Sequence, residues 1–125
     1  MIYLDTHVVT WLYGGELSRL GRTARKWLDS DGDLVISPMV TLELQYLFEV
    51  KRLAAPALPI LGYLQEKLGL AECRKAFSKV VEAGLLQTWT RDPFDRLIVA
   101  QASLAGDVLL TQDETIRRHY RRAQW

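Results

Sequence analysis

Cysteine is nearly absent, Cys73 being the sole one in 125 residues. An internal disulfide is therefore excluded, no Cys/His spacing matches a zinc site, and a reducing, cytoplasmic setting is the expectation. Also missing is a basic N-terminal stretch leading into a long apolar segment. The chain goes straight into Met1-Ile2-Tyr3-Leu4-Asp5, and no apolar run approaches membrane-spanning length. Neither secretion nor membrane insertion is predicted. Excess charge of one sign is lacking too: 16 basic and 15 acidic residues leave a net charge of +1, so attraction to a polyanion must come from local clustering. Repeats, low-complexity tracts and domain linkers are absent, apart from the short Ala54–Pro59 segment that joins helices.

What remains is the composition of a folding globular chain. Hydrophobic residues make up 49% and charged residues 25%, which excludes an intrinsically disordered segment. The length predicts a single domain spanning 1–125. Short apolar runs at Ile2–Leu4, Leu34–Ile36, Leu85–Trp89 and Val108–Leu110 read as strands and alternate with longer stretches of helical periodicity. That alternation predicts an α/β fold with a central parallel β-sheet flanked by helices. Ser37 followed by Pro38 starts a helix that can run to about Arg52, and Asp92 followed by Pro93 starts another that Gly106 stops after Ala105. Between them, Ile60–Leu68 and Arg74–Ala83 read as further helices forming a small insertion.

Four acidic residues fall at informative places on this framework. Asp5 directly follows the first strand, and Asp113 follows Val108–Leu110 by one short step, so both lie past strand C-terminal ends, where open α/β sheets bind ligands. Glu43 shares a helical stripe with Val40, Leu44 and Leu47, and Asp95 shares one with Ile98, Val99 and Ala102. Both point inward. An isolated ionised carboxylate is costly to bury, so two on buried stripes need a common explanation. If Asp5, Glu43, Asp95 and Asp113 converge, their repulsion is relieved by a divalent cation. Hard oxygen donors suit Mg²⁺, with Mn²⁺ as the alternative, and such a site hydrolyses phosphodiesters with no nucleophilic side chain.

Taken in order, these segments closely resemble the PIN-domain family and, within it, the VapC-like toxins of bacterial toxin–antitoxin pairs. The blocks that carry the resemblance are Tyr3-Leu4-Asp5-Thr6-His7, then Ser37-Pro38-Met39-Val40-Thr41-Leu42-Glu43-Leu44, then Arg91-Asp92-Pro93-Phe94-Asp95 through Ala102, and Leu110-Thr111-Gln112-Asp113. Each is weak alone; in order, over the whole chain, they are specific. The resemblance implies a three-layer, Rossmann-like α/β/α fold. It further implies a Mg²⁺-dependent endoribonuclease, usually a homodimer, held inactive by a cognate VapB-like antitoxin in the acidic cleft. One local departure is Thr90, where relatives often carry a histidine.

Plainer roles stand beside these. Asp5 and Asp113 can each be helix caps or turn residues, and Asp92, just before Pro93, reads as an N-cap in support of the site. Thr6 and Thr111 can support neighbouring carboxylates through their hydroxyls. His7 reads as a hydrogen-bonded structural histidine. Among Trp11, Trp27, Trp89 and Trp125, only Trp125 is expected to be exposed. Arg117, Arg118, Arg121 and Arg122 read as i,i+4 pairs on a short helix, with Arg117 and Arg121 binding RNA phosphate; the plainer alternative is a solvated end. Two other function classes compete: a phosphohydrolase forming an aspartyl-phosphate on Asp5, which Asp5-Thr6-His7 disfavours by lacking a second nearby Asp, and a non-catalytic module binding nucleic acid or protein.

Overall fold

The computed structural model describes residues 1–125. In chain order its elements are β1 (Ile2–Leu4), α1 (Thr6–Gly14), α2 (Arg22–Leu28), β2 (Leu34–Ile36), α3 (Pro38–Glu49) and α4 (Ala57–Leu68). There follow β3 (Ala71–Glu72), α5 (Phe77–Gly84), α6 (Pro93–Ser103), β4 (Val108–Leu110), α7 (Glu114–His119) and β5 (Ala123–Gln124). The strands form one sheet in the order β3-β2-β1-β4-β5, every neighbouring pair parallel. β1, β2 and β4 are buried along their whole length, which is why they read as unbroken apolar runs rather than alternating ones.

The strand order reverses between β1 and β4: the chain leaves β1 toward β2 on one side and leaves β4 toward β5 on the other. Right-handed crossovers then put the earlier helices on one face and the later ones on the other. The contacts agree, with α1, α3 and α4 touching one another, α5 lying along α6, and α3 reaching α6. A crevice opens outside the carboxyl ends of β1 and β4. Register fixes what lies there: Leu4 pairs with Leu110, so the next residues, Asp5 and Thr111, emerge side by side, and Asp5 N donates to Leu110 O at 3.0 Å.

The helix starts follow local chemistry. Ser37 accepts from Met39 N at 3.1 Å, and Asp92 accepts from Phe94 N at 2.8 Å and Asp95 N at 3.1 Å, each immediately before a proline that opens the helix. Gly106 takes φ 68° in the turn from α6 to β4, a conformation that favours glycine. Helix α3 stops at Glu49, short of Arg52, and α5 begins at Phe77, past Arg74.

Leu85–Trp89 is not a strand. It continues α5 as a series of turns, with Leu85 N bonded to Val81 O and Gln87 N to Gly84 O, and Leu85 and Leu86 are 66% and 79% exposed. β-Propensity is only realised against a neighbouring strand, and here the chain is instead held to α6. Arg96 Nε donates to Gly84 O at 2.8 Å, and a Cβ on Gly84 would meet Leu97 Cδ2 at 2.9 Å, so α5 and α6 pack closely at this point and a larger residue would have to displace the Leu97 side chain. The sheet edges are supplied instead by the two-residue strands β3 and β5. No helix is long and apolar enough to cross a membrane.

Candidate active site

Asp5, Glu43, Asp95 and Asp113, drawn from four separate segments, line one open cleft of about 520 Å³. Asp5 is the most enclosed, at 4% exposure. It caps α1, its Oδ1 accepting from Thr6 N at 2.8 Å, and its Oδ2 accepts from Thr111 Oγ1 at 2.6 Å. The Thr6 hydroxyl donates to Glu43 Oε1 and so ties α1 to α3. Asp113 caps α7 through Ile116 N at 2.9 Å, and its own N–H donates to Thr111 Oγ1 at 3.1 Å. Thr111 therefore bridges Asp5 and Asp113, while Thr6 bridges Asp5 and Glu43. Asp92 is exposed and caps α6 outside the cleft, and Thr90 Oγ1 accepts from its N–H at 3.1 Å.

The cap roles of Asp5 and Asp113 and their place in the cleft are thus compatible. A carboxylate that accepts a helix N–H with one oxygen keeps further lone pairs for other partners.

Negative charge accumulates here without compensation, since no cation pairs with Glu43, Asp95 or Asp113. Burial first, and then the charges of Asp5, Asp92, Asp113 and Glu43, push the Asp95 carboxyl up to about 7. Burial raises Glu43 as well; the Thr6 hydroxyl bond opposes that rise, and Asp5 and Asp92 add to it. Donors that are all carboxylate or hydroxyl oxygens, crowded enough to raise Asp95 and Glu43, fit a hard divalent cation. No three of the acidic, imidazole or thiol side chains come close enough together to hold a metal ion by themselves; a cation here would draw on one or two carboxylates and take its remaining ligands from water and phosphate.

His7 joins α1 to the β4–α7 loop: its Nε2 accepts from Gln112 N at 3.0 Å and its Nδ1 lies 3.6 Å from Asp5 Oδ2. The ring sits against Trp11 at 4.9 Å and Trp125 at 6.2 Å. Trp125 is half-buried rather than exposed, because Thr111 N bonds to Gln124 O at 3.0 Å and brings the chain end back over α1 and Gly21.

The arginine quartet differs from its sequence reading. Helix α7 ends at His119, so Arg121 lies beyond it and cannot form an i,i+4 helical pair with Arg117. The helix runs from the carboxyl end of β4 back toward the start of β5, carrying Arg121 and Arg122 away from the acids, and Arg122 Nε donates to Gly106 O on the far side of β4. Arg117 is nearer, donating to Gln112 O at 3.2 Å, yet neither Arg117 nor Arg121 lines the cleft. The cations that do are Arg19, on the short 3₁₀ turn Leu17–Arg19, and Arg52, just past α3. Sequence reading missed both, since neither sits in a block that carries acids.

With this geometry in view, the comparison with known families is decisive: the model of the PIN domain matches residues 2–122. This chain belongs to the PIN-domain family. It is 31% identical over 123 residues to Ribonuclease VapC22 of Mycobacterium tuberculosis, covering 94% of this chain and 91% of that protein. Among solved structures it is similar to a chain of VapBC2 from Rickettsia felis, crystallised bound to a DNA fragment from their promoter. There the TM-score is 0.62 at 20% identity, over 94% of this chain and 92% of that one, so the likeness is one of fold. The PIN domain described here is VapC-like in sequence, and its doubly flanked parallel sheet has the architecture of its relatives.

Proposed function

We propose that this PIN domain is a Mg²⁺-dependent endoribonuclease, with Mn²⁺ an acceptable substitute, acting as the toxin of a toxin–antitoxin pair in the cytoplasm. It works as a single nuclease domain within a homodimer and is restrained by a VapB-like antitoxin. The observation that carries the reading is that Asp5, Glu43, Asp95 and Asp113 line one cleft and that no lysine or arginine forms an ion pair with any of them. The name of the Mycobacterium tuberculosis relative, a ribonuclease, supports the same activity, and the VapBC2 complex supports an antitoxin partner.

A divalent cation bound by these carboxylates would acidify a water and offset charge developing on the scissile phosphate. The protein's part is to hold the acids in place before substrate arrives. The Thr6 N–H and Thr111 hydroxyl fix both Asp5 oxygens, and the Thr6 hydroxyl fixes Glu43. Asp95, whose carboxyl burial and neighbouring charge push up to about 7 in the cation-free site, gives up that proton when it helps to hold the cation. Phosphoryl transfer to Asp5 itself is disfavoured, because its two oxygens are engaged and it is 4% exposed.

The deciding experiment incubates purified, partner-free protein with a mixed set of structured RNAs in Mg²⁺, in chelator, and with Asp5→Asn, Glu43→Gln and Asp95→Asn. Cleavage is expected only for the wild type in Mg²⁺, with every variant folded. Full activity in chelator rules out the metal mechanism, and unfolding of the variants reassigns the acids to structure.

A further inference from the structure

A net charge of +1 gives the chain no general attraction for RNA, and four clustered carboxylates repel phosphate. The strand must therefore be held by cations at the cleft itself, and Arg19 and Arg52 are the two that line it. They are not equivalent. Arg19 Nε pairs with Glu16 at 3.0 Å, and its guanidinium lies over the Trp11 ring at 5.5 Å. The Arg52 guanidinium has no ion pair and no hydrogen bond, although its backbone is fixed.

Backbone conformation explains that fixing. Lys51, at φ 63°, is the one non-glycine residue with positive φ, and its left-handed turn reverses the chain beneath the end of α3. Arg52 N and Leu53 N then both donate to Leu47 O, at 2.8 and 3.2 Å. Leu47 is one helical turn past Glu43 on the same face, and it also lines the cleft. A strained residue thus delivers an uncommitted guanidinium to the turn beside Glu43. A planar guanidinium fork matches phosphate oxygens better than any other side chain.

Building on the nuclease reading, we infer that Arg52 is a positioning residue that holds a backbone phosphate of the RNA strand beside the scissile one, with the Lys51 turn setting its reach. It orients the strand; the carboxylates remain the groups nearest the reaction.

The test measures binding of a labelled single-stranded RNA to a non-cleaving Asp95→Asn background in Mg²⁺ over a salt series, with and without Arg52→Gln. Loss of one phosphate contact is expected to weaken binding about tenfold at low salt and to make the log–log salt slope shallower by about 0.7. Arg52→Lys keeps the charge and restores the slope, whereas Arg117→Gln changes neither quantity. In the cleaving protein Arg52→Gln raises KM more than it lowers kcat, and the melting temperature stays put because the guanidinium makes no hydrogen bond or ion pair. A wild-type slope and KM in Arg52→Gln, or no RNA binding by the parent protein, overturns the inference. Arg52-dependent binding by a protein that cleaves nothing would keep it while discarding the nuclease reading.

Discussion

Thr111 donates its hydroxyl to Asp5 Oδ2 at 2.6 Å across a separation of 106 residues, and both residues are buried. The bond ties together the carboxyl ends of β1 and β4 at the crevice. Thr111→Val keeps the shape and removes the donor, leaving a buried carboxylate oxygen without its partner. A loss of about 2 kcal/mol in unfolding free energy is expected, in the range for hydrogen bonds to charged groups. Denaturant midpoints measure it, and the cost should shrink in an Asp5→Asn background, where the charge is gone. An equal cost in both backgrounds would mean that the Thr111 hydroxyl acts through the bond it accepts from Asp113 N and not through Asp5.

Asp95 makes stability depend on pH in an uncommon direction. Its carboxyl rises from an ordinary 3.8 to about 7 in the folded protein, so between those values the native state binds the proton that the unfolded chain releases. Without divalent cation, stability is therefore greatest below about pH 4 as far as this group is concerned, and falls as pH rises toward 7. Asp95→Asn, which cannot ionise, should exceed the wild type by about 1–2 kcal/mol above pH 7, a figure discounted for the group's partial solvent access. The advantage should vanish near pH 4. Melting in chelator at several pH values checks this, and a variant less stable than wild type at pH 8 would refute the crowding of charge around Asp95.

Much of this cleft was legible in the sequence because strand ends and helical stripes are local signals. β1, β2 and β4 fall where the apolar runs lie, Pro38 and Pro93 open α3 and α6, and the inward stripe already implied that Glu43 and Asp95 face the core. Two-residue strands leave no pattern, so β3 and β5 could not be read, and Leu85–Trp89 showed β-forming residues with no sign that a partner strand was absent. Trp125 turns inward through a long-range bond from Thr111 N to Gln124 O, which has no local signature. Arg52 was hidden for a related reason: lysine is no marker of a left-handed turn, so nothing at Lys51 announced the reversal that brings Arg52 back.

Cation binding should stabilise the fold through the same carboxylates that destabilise it when left alone. Mg²⁺ or Mn²⁺ at roughly 100 times its dissociation constant is expected to add about 2.7 kcal/mol of stability, read as a rise in melting temperature. At a fixed cation concentration the gain must grow with pH from about 6 to 8, because the cation displaces the proton that burial and neighbouring charge hold on Asp95. Asp5→Asn combined with Asp95→Asn removes two of the four acids and should remove most of the gain, while Asp29→Asn, a helix-end acid outside the cleft, should leave it intact. A rise of equal size in the doubly substituted protein would place the bound cation elsewhere. A gain that is independent of pH would mean the cation meets carboxylates that are already ionised, and the electrostatic account of the cleft would fail with it.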